Sequence, residues 1–172
     1  MSLKEFNKQI LPLKQKLFRF SLSIVRDRTE AEDVVQETCI KLWRQWSRIS
    51  EIDNLEAWSM RLAKNLSIDK LRSKHQRTDR IEQAYHLKGD SPTPYQVTAS
   101  NDTLGHIRQM MNQLPEKQRL VMHLRDIEEM SYQEICDTLQ LPISQVKVNL
   151  FRARKQMRTF LIKSESYGSQ RH

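Results

Sequence analysis

Ser131-Tyr-Gln-Glu-Ile-Cys-Asp-Thr-Leu-Gln-Leu-Pro-Ile-Ser-Gln-Val-Lys-Val-Asn-Leu-Phe-Arg-Ala-Arg-Lys-Gln-Met-Arg158 reads as two helices divided by a tight turn. Ser131 and Glu134 have capping-box spacing, in which the hydroxyl and the carboxylate each satisfy an orphan backbone N–H of the first turn. Ile135, Cys136 and Leu139 follow at helical spacing. Leu141-Pro142-Ile143 interrupts the helix, because proline has no N–H to continue it. Ser144 is a suitable cap for a second helix, with Val146, Leu150, Ala153, Met157 and Leu161 as its apolar stripe. Away from that stripe lie Lys147, Val148, Phe151, Arg152, Arg154, Lys155 and Arg158, the arrangement a recognition helix in a major groove requires. Val148 and Phe151 among cations suit contact with a thymine methyl or packing on the DNA backbone. A cationic helix in solvent with stray apolar residues is the plainer alternative.

Upstream of this block, a helix with Pro115 near its first turn carries Leu120, Val121, Leu124 and Ile127 as apolar positions. Periodicity fades between Gln76 and Asp102, and Gly89-Asp-Ser-Pro92-Thr-Pro94 marks a flexible linker. Further upstream, Thr29-Glu-Ala-Glu32 has capping-box form and predicts a helix start. That helix places Ala31, Val34, Val35, Thr38, Cys39, Leu42 and Trp46 on one arc and Glu30, Asp33, Gln36 and Glu37 on the other. Asn54 suits the N-cap of a next helix whose stripe is Leu55, Trp58, Leu62 and Leu66. Arg61, Lys64, Asn65 and Arg72 fall away from that stripe, and the basic run continues through Lys74, Arg77 and Arg80. The expected organisation is a helical unit over 1–76, a linker over 77–102, a helix-turn-helix unit over 103–163 and a tail over 164–172. Met1–Ile10 and Ser164–His172 carry no readable signal.

The composition agrees with an all-α fold: 172 residues, 38% hydrophobic and 29% charged, with only 3 Gly and 5 Pro. The net charge of +8 points to an anionic partner, although a solvated basic surface also accounts for it. Its distribution favours the partner. Seven Lys/Arg against two Asp between Arg61 and Arg80 give +5, and six with no acid between Lys147 and Lys163 give +6, leaving −3 for the remainder. Two separated cationic blocks suit two contacts with a phosphate backbone.

No apolar run approaches the roughly 18 to 20 residues of a membrane span, and the first ten residues lack signal-peptide order, so a cytoplasmic protein is expected. Cys39 and Cys136 lie on apolar stripes and read as buried free thiols. The glycines at 89, 105 and 168 cannot form a nucleotide-binding loop, and the five His residues lack metal-ligand spacing. Neither a catalytic site, a cofactor nor a metal is expected.

Asp33-Val-Val-Gln-Glu-Thr-Cys-Ile-Lys-Leu-Trp43, Ala57-Trp58 and Arg61-Leu-Ala-Lys-Asn65-Leu-Ser-Ile-Asp69-Lys-Leu-Arg72 resemble segments of one known family, as do Leu114-Pro-Glu-Lys-Gln-Arg119, Ser131–Leu139 and Val146–Arg158. That family is the bacterial sigma factors of the extracytoplasmic-function type, built of regions two and four; the likeness covers Leu11–Arg72 and Leu104–Thr159.

The resemblance implies a factor that joins RNA polymerase core, through the β′ coiled coil and the β subunit, to promoter DNA, and that an anti-sigma factor commonly restrains. It assigns Asp33, Gln36 and Glu37 to the β′ coiled coil. The segment from Arg48 to Arg72 would open the minus-ten element, with Arg61, Lys64, Asn65 and Arg72 contacting DNA. Gln145, Lys147, Val148, Asn149, Phe151 and Arg152 would read the minus-thirty-five element. Val148 and Asn149 depart from the small polar and basic residues frequent there, so the promoter sequence does not carry over. Trp58 resembles a base-stacking platform, but its place on the Leu55/Leu62 stripe favours core packing. The rival is a helix-turn-helix regulator that does not bind core polymerase, its first half sensing a ligand or dimerising; an RNA-binding adaptor is a third class.

Overall fold

The first ten residues do carry a helix start. In a computed structural model that describes residues 2–49, 51–85 and 103–168, the Ser2 hydroxyl accepts the Glu5 N–H (3.3 Å) and the Glu5 carboxylate accepts the Ser2 N–H (2.9 Å). This capping box opens α1, Leu3–Val25, which buries Phe6, Ile10, Leu17, Phe20 and Ile24 at steps of four, seven, three and four residues, one face of a helix. Pro12 obscures that period in the sequence. It lies on the exposed side of α1, as does Lys8, whose carbonyl it leaves without its helical amide partner.

Arg26 closes α1 in the left-handed conformation (φ 57°), its N–H bonding the Leu22 carbonyl. Asp27 is then the one extended residue before α2, Arg28–Arg44, and its carboxylate accepts the Glu30 N–H at 2.9 Å. The cap expected at Thr29 is therefore two residues too late. Thr29 already lies inside the helix, and Glu32 pairs with Arg28 (3.0 Å) rather than reaching back to the Thr29 backbone N–H. Ala31, Val34, Thr38 and Leu42 are buried as expected, with Val35 and Cys39 half-buried. Trp46 belongs to a separate short helix, α3, Trp46–Ile49.

Asn54 caps α4, Leu55–Tyr85, accepting the Ala57 N–H at 2.8 Å. Its most buried side is Ala57, Met60, Ala63, Leu66 and Ser67. Of the expected stripe only Leu66 is fully buried. Leu55, Trp58 and Leu62 are half-buried against the cluster of Phe6, Ile10, Leu42, Trp46 and Ile49. α4 also continues to Tyr85, past the boundary expected after residue 76. Residues 76–85 are mostly good helix formers without Gly or Pro, so the fading apolar period there marks the end of the core and not of the helix. The linker read at Gly89–Pro94 lies outside the described residues. α1 packs on α2 and α4, and α2 packs on α4.

The chain divides into two compact units, Met1–Tyr95 and Gln96–His172. The second contains α5, Thr103–Asn112; α6, Glu116–Met122, with Pro115 just before it; a π-helical turn, His123–Ile127; α7, Tyr132–Leu139; and α8, Ile143–Gly168. Among the described residues of both units, the regular elements are all helical. α8 is the spine of this unit, packing against α5, α6 and α7. Its buried stripe is Val146, Leu150, Ala153 and Met157. Leu161, expected to extend the stripe, is exposed, as is Ile127. The core on that side ends with Met111, Leu114 and Met157, against which Phe160 is partly buried.

The capping box at Ser131 is present, with Glu134 N–H to Ser131 Oγ at 3.2 Å and Ser131 N–H to Glu134 at 2.7 Å. Ser144, by contrast, is not a cap. α8 starts one residue earlier, and the Gln145 and Val146 N–H groups bond the Pro142 carbonyl. α8 also runs to Gly168, into the segment expected as a tail. Between α6 and α7 the π turn is closed by a buried contact, His123 Nε2 to Glu128 Oε1 at 3.2 Å.

Two stability outcomes are expected. Phe20→Ala, which empties a fully buried site, lowers the unfolding free energy of the amino-terminal unit by about 3–5 kcal/mol. Ser131→Ala, which removes the cap of α7, lowers that of the carboxyl-terminal unit by about 0.5–2 kcal/mol. Calorimetry of the full chain, with one transition followed per unit, checks both; a shift in the wrong unit would contradict the division.

Candidate polymerase and nucleic-acid surfaces

α2 carries its acids opposite its buried stripe because 3.6 residues per turn bring positions three, four and seven apart onto one face. Asp33, Gln36 and Glu37 are all exposed there. Two of them are partly neutralised within the chain. Lys70 of α4 reaches Glu30 (2.8 Å) and Asp33 (3.6 Å), and Lys41 reaches Glu37 (3.6 Å). The hydrogen bond to Glu30 raises the pKa of the Lys70 ammonium, outweighing the opposing effect of burial. The same face carries exposed Ile40 and Trp43, which the sequence reading did not single out. Their signal was available: Ile40 is seven residues from Asp33, and Trp43 seven from Gln36. Trp43 is propped edge-on against Phe6 at a centroid distance of 5.1 Å, so an apolar edge borders the acids.

On α4 the structure brings Arg61, Asn65 and Arg72 onto one side, with Asn65 and Arg72 exposed and Arg61 half-buried. Lys64 is not with them. At 9% exposure it is turned toward the core, against the reading that placed it on the open face. One residue rotates the helix by about 100°, which carries position 64 round toward Met60 and Ala63. Lys74, Arg77 and Arg80 extend the exposed cationic run. Trp58 is half-buried and packs on the Phe6 cluster, in agreement with a core role.

On α8, Val148 (44% exposed) and Phe151 (69%) stand out among exposed cations. The six residues read as one surface divide into two flanks. Gln145, Val148, Asn149 and Arg152 share one flank, with Asn149 half-buried and its amide donating to the Gln145 carbonyl at 2.8 Å. Lys147 and Phe151 lie on the other, where they line a groove with Tyr132, Leu150, Arg154 and Arg158. At 100° per residue the centres of the flanks are roughly 130° apart, and Val148 and Phe151, about 60° apart, are where the two meet. Lys147 stands over the Tyr132 ring at 5.8 Å, and Arg154 is held by Asp126 through two bonds (3.1 and 2.5 Å). Arg154, expected among the outward cations, is thus already paired.

No cluster of three or more potential metal ligands occurs among the described residues. Cys39 and Cys136 are free and half-buried rather than fully buried; loss of solvation raises both thiol pKa values and favours the protonated form. Among the described residues, no helix is long and apolar enough to cross a membrane.

Residues 10–78 match the model for Sigma-70 region 2, and residues 104–157 match the model for Sigma-70, region 4. The extracytoplasmic-function RNA polymerase sigma factor SigE of Mycolicibacterium smegmatis is 27% identical over 157 residues, 90% of this chain and 61% of the relative. The RNA polymerase sigma-H factor of Pseudomonas aeruginosa is 27% identical over 161 residues, 88% of this chain and 83% of the relative. Against SigW of Bacillus subtilis the identity is 27% over 154 residues, 84% and 82% of the two chains. The fold is shared with the sigma factor RpoE of Bartonella quintana, solved in complex with the anti-sigma factor NepR (TM-score 0.74, 23% identity, 92% of this chain and 98% of that one). It is shared too with CnrH, solved with the cytosolic domain of CnrY (TM-score 0.70, 22% identity, 94% and 90%). With both region models matched in chain order and relatives of one type aligned over most of its length, the chain belongs to the sigma-70 family of RNA polymerase sigma factors, in its extracytoplasmic-function group.

Proposed function

We propose that this sigma factor directs RNA polymerase core to promoters by a division of labour between its helical faces. The exposed row of Asp33, Gln36 and Glu37 on α2, bordered by Ile40 and Trp43, docks on the β′ coiled coil of the core enzyme. Residues 1–76 act as region two. Arg61, Asn65 and Arg72 engage the opened minus-ten element, and buried Lys64 supports α4 more than it reaches DNA. Residues 103–163 act as region four, with α8 in the major groove of the minus-thirty-five element and the β subunit as a further contact. Gln145, Val148, Asn149 and Arg152 face the bases, while Lys147 and Phe151 lie on the adjoining groove flank.

The observation that carries this reading is the segregation of charge: a carboxylate row on one helix of the first unit, and a cationic helix with two exposed apolar residues in the second. Solvation alone needs neither arrangement. The protein performs no catalysis itself, uses no cofactor and works in the cytoplasm alongside polymerase. An anti-sigma factor is its expected inhibitor, since the fold is that of factors solved with such partners.

Reconstitution with bacterial core polymerase tests the reading. The wild-type chain is expected to give synthesis from defined start sites, and Asp33→Lys/Glu37→Lys to weaken holoenzyme assembly at least tenfold while sparing DNA contacts. Promoter selection with Arg152→Ala is expected to alter preference in the minus-thirty-five region alone. A chain that gives core enzyme no start-site selection sinks the proposal and leaves the helix-turn-helix regulator in its place.

A further inference from the structure

α8 carries more cations than base reading uses, and the corner between α6 and α7 attends to two of them. The π turn His123–Ile127 adds one residue to the helical repeat, and the buried His123–Glu128 contact holds its shape. Consecutive residues of that turn then reach different targets. Arg125 bonds the Met130 carbonyl (2.8 Å) and lies over the Tyr132 ring at 4.8 Å. Asp126 grips Arg154 of α8 through both carboxylate oxygens. Tyr132 offers its ring to Lys147 as well as to Arg125. Lys147 and Arg154 are seven residues apart, two turns of one flank, so a single corner holds a cation at each end of that flank.

We propose that Asp126 and Tyr132 are positioning residues for promoter selectivity: they hold Arg154 and Lys147 on the groove flank and so keep both off the flank of Gln145, Val148, Asn149 and Arg152. The inference rests on the reading of α8 as the DNA-contacting helix. A cation that reaches any phosphate strengthens binding to every sequence alike and narrows the margin between target and non-target DNA. A guanidinium bound at two nitrogens by a carboxylate has its anion-matching edge occupied and adds little to that common background. The ring of Tyr132 restrains the Lys147 ammonium more loosely, through its negative face. The pairing of Arg154 with Asp126 is exposed to solvent, so its effect on stability is small and its effect on where the charge is held is the one that matters.

The test measures reconstituted holoenzyme on duplexes carrying matched or randomised minus-thirty-five regions, across a range of salt. Asp126→Asn, which keeps the shape and removes the charge, is expected to bind randomised DNA about 3- to 10-fold more tightly at low salt, with a salt slope steeper by about 0.9. Its preference for the matched sequence falls by a similar factor. Asp126→Glu restores the parent behaviour, and Asp126→Asn/Arg154→Ala returns the slope to the parent value. Tyr132→Leu acts in the same direction as Asp126→Asn, whereas Tyr132→Phe, which keeps the ring, does not. In the parent, Arg154→Ala leaves slope and preference unchanged.

A purely structural role for Asp126 predicts the opposite sign, with weaker binding to all sequences and an unaltered slope, and that result overturns the proposal, as would parent-like behaviour of Asp126→Asn. Arg152→Ala separates this failure from that of the underlying reading. If Arg152→Ala alters preference while Asp126→Asn does not, only the positioning role is lost; if neither variant moves slope or preference, α8 is not the reading helix.

Discussion

A helix in a unit this small has to serve two masters, because the turn of 3.6 residues leaves it one stripe to bury and the remaining faces to present. α2 buries Ala31, Val34, Thr38 and Leu42 and presents carboxylates; α8 buries Val146, Leu150, Ala153 and Met157 and presents cations. The burial of those stripes sets the rotation of each helix about its axis. Which charges then face outward is a consequence. A slip of one residue in α8 would turn it by about 100° and bring Lys147 toward the core in place of Val146. On the proposed reading, promoter recognition and polymerase docking therefore depend on the burial of those apolar side chains.

The outward charges are not simply displayed. Lys70 lies against Glu30 and Asp33, Lys16 against Glu56, and Asp126 against Arg154, so parts of each surface are already matched within the chain. Solvent-exposed pairs of this kind contribute little to stability. Their effect is on direction: a long flexible side chain with a fixed partner offers its charge from one place instead of many. Lys70 also joins α4 to the acidic row of α2 through Glu30 and Asp33, so the helix proposed to engage DNA and the helix proposed to dock on polymerase are tied by an ionic cluster in the first unit.

Much of this was legible beforehand. The capping box at Ser131, the break at Pro142 and the stripe from Val146 to Met157 follow local rules, each satisfied by residues within a few positions of one another, and each is present. The misreadings came where two local signals competed or where a signal was absent. Asp27 and Thr29 are both good N-caps, and the choice between them was made by Arg26, whose left-handed backbone ends α1 and leaves Asp27 extended. The opening helix went unread because Pro12 interrupts a period that continues on its other side. The fading apolar period predicts an end of α4 near residue 76, but helix propensity carries it on through residues 76–81, all exposed, to Tyr85.

What the sequence determined by itself is most of the helices, the charge each carries and the order of the two regions, since propensity, capping and periodicity act over a turn or two of chain. What only the tertiary structure decided is which of the polar residues remain available. Lys64 is turned inward, Ile40 and Trp43 are left outside, and Arg154 is occupied by Asp126, 28 positions away in the chain. The physical reason is that a residue's rotation on its helix is local, but its burial and its ionic partner depend on what packs beside it, and those neighbours come from elsewhere in the chain.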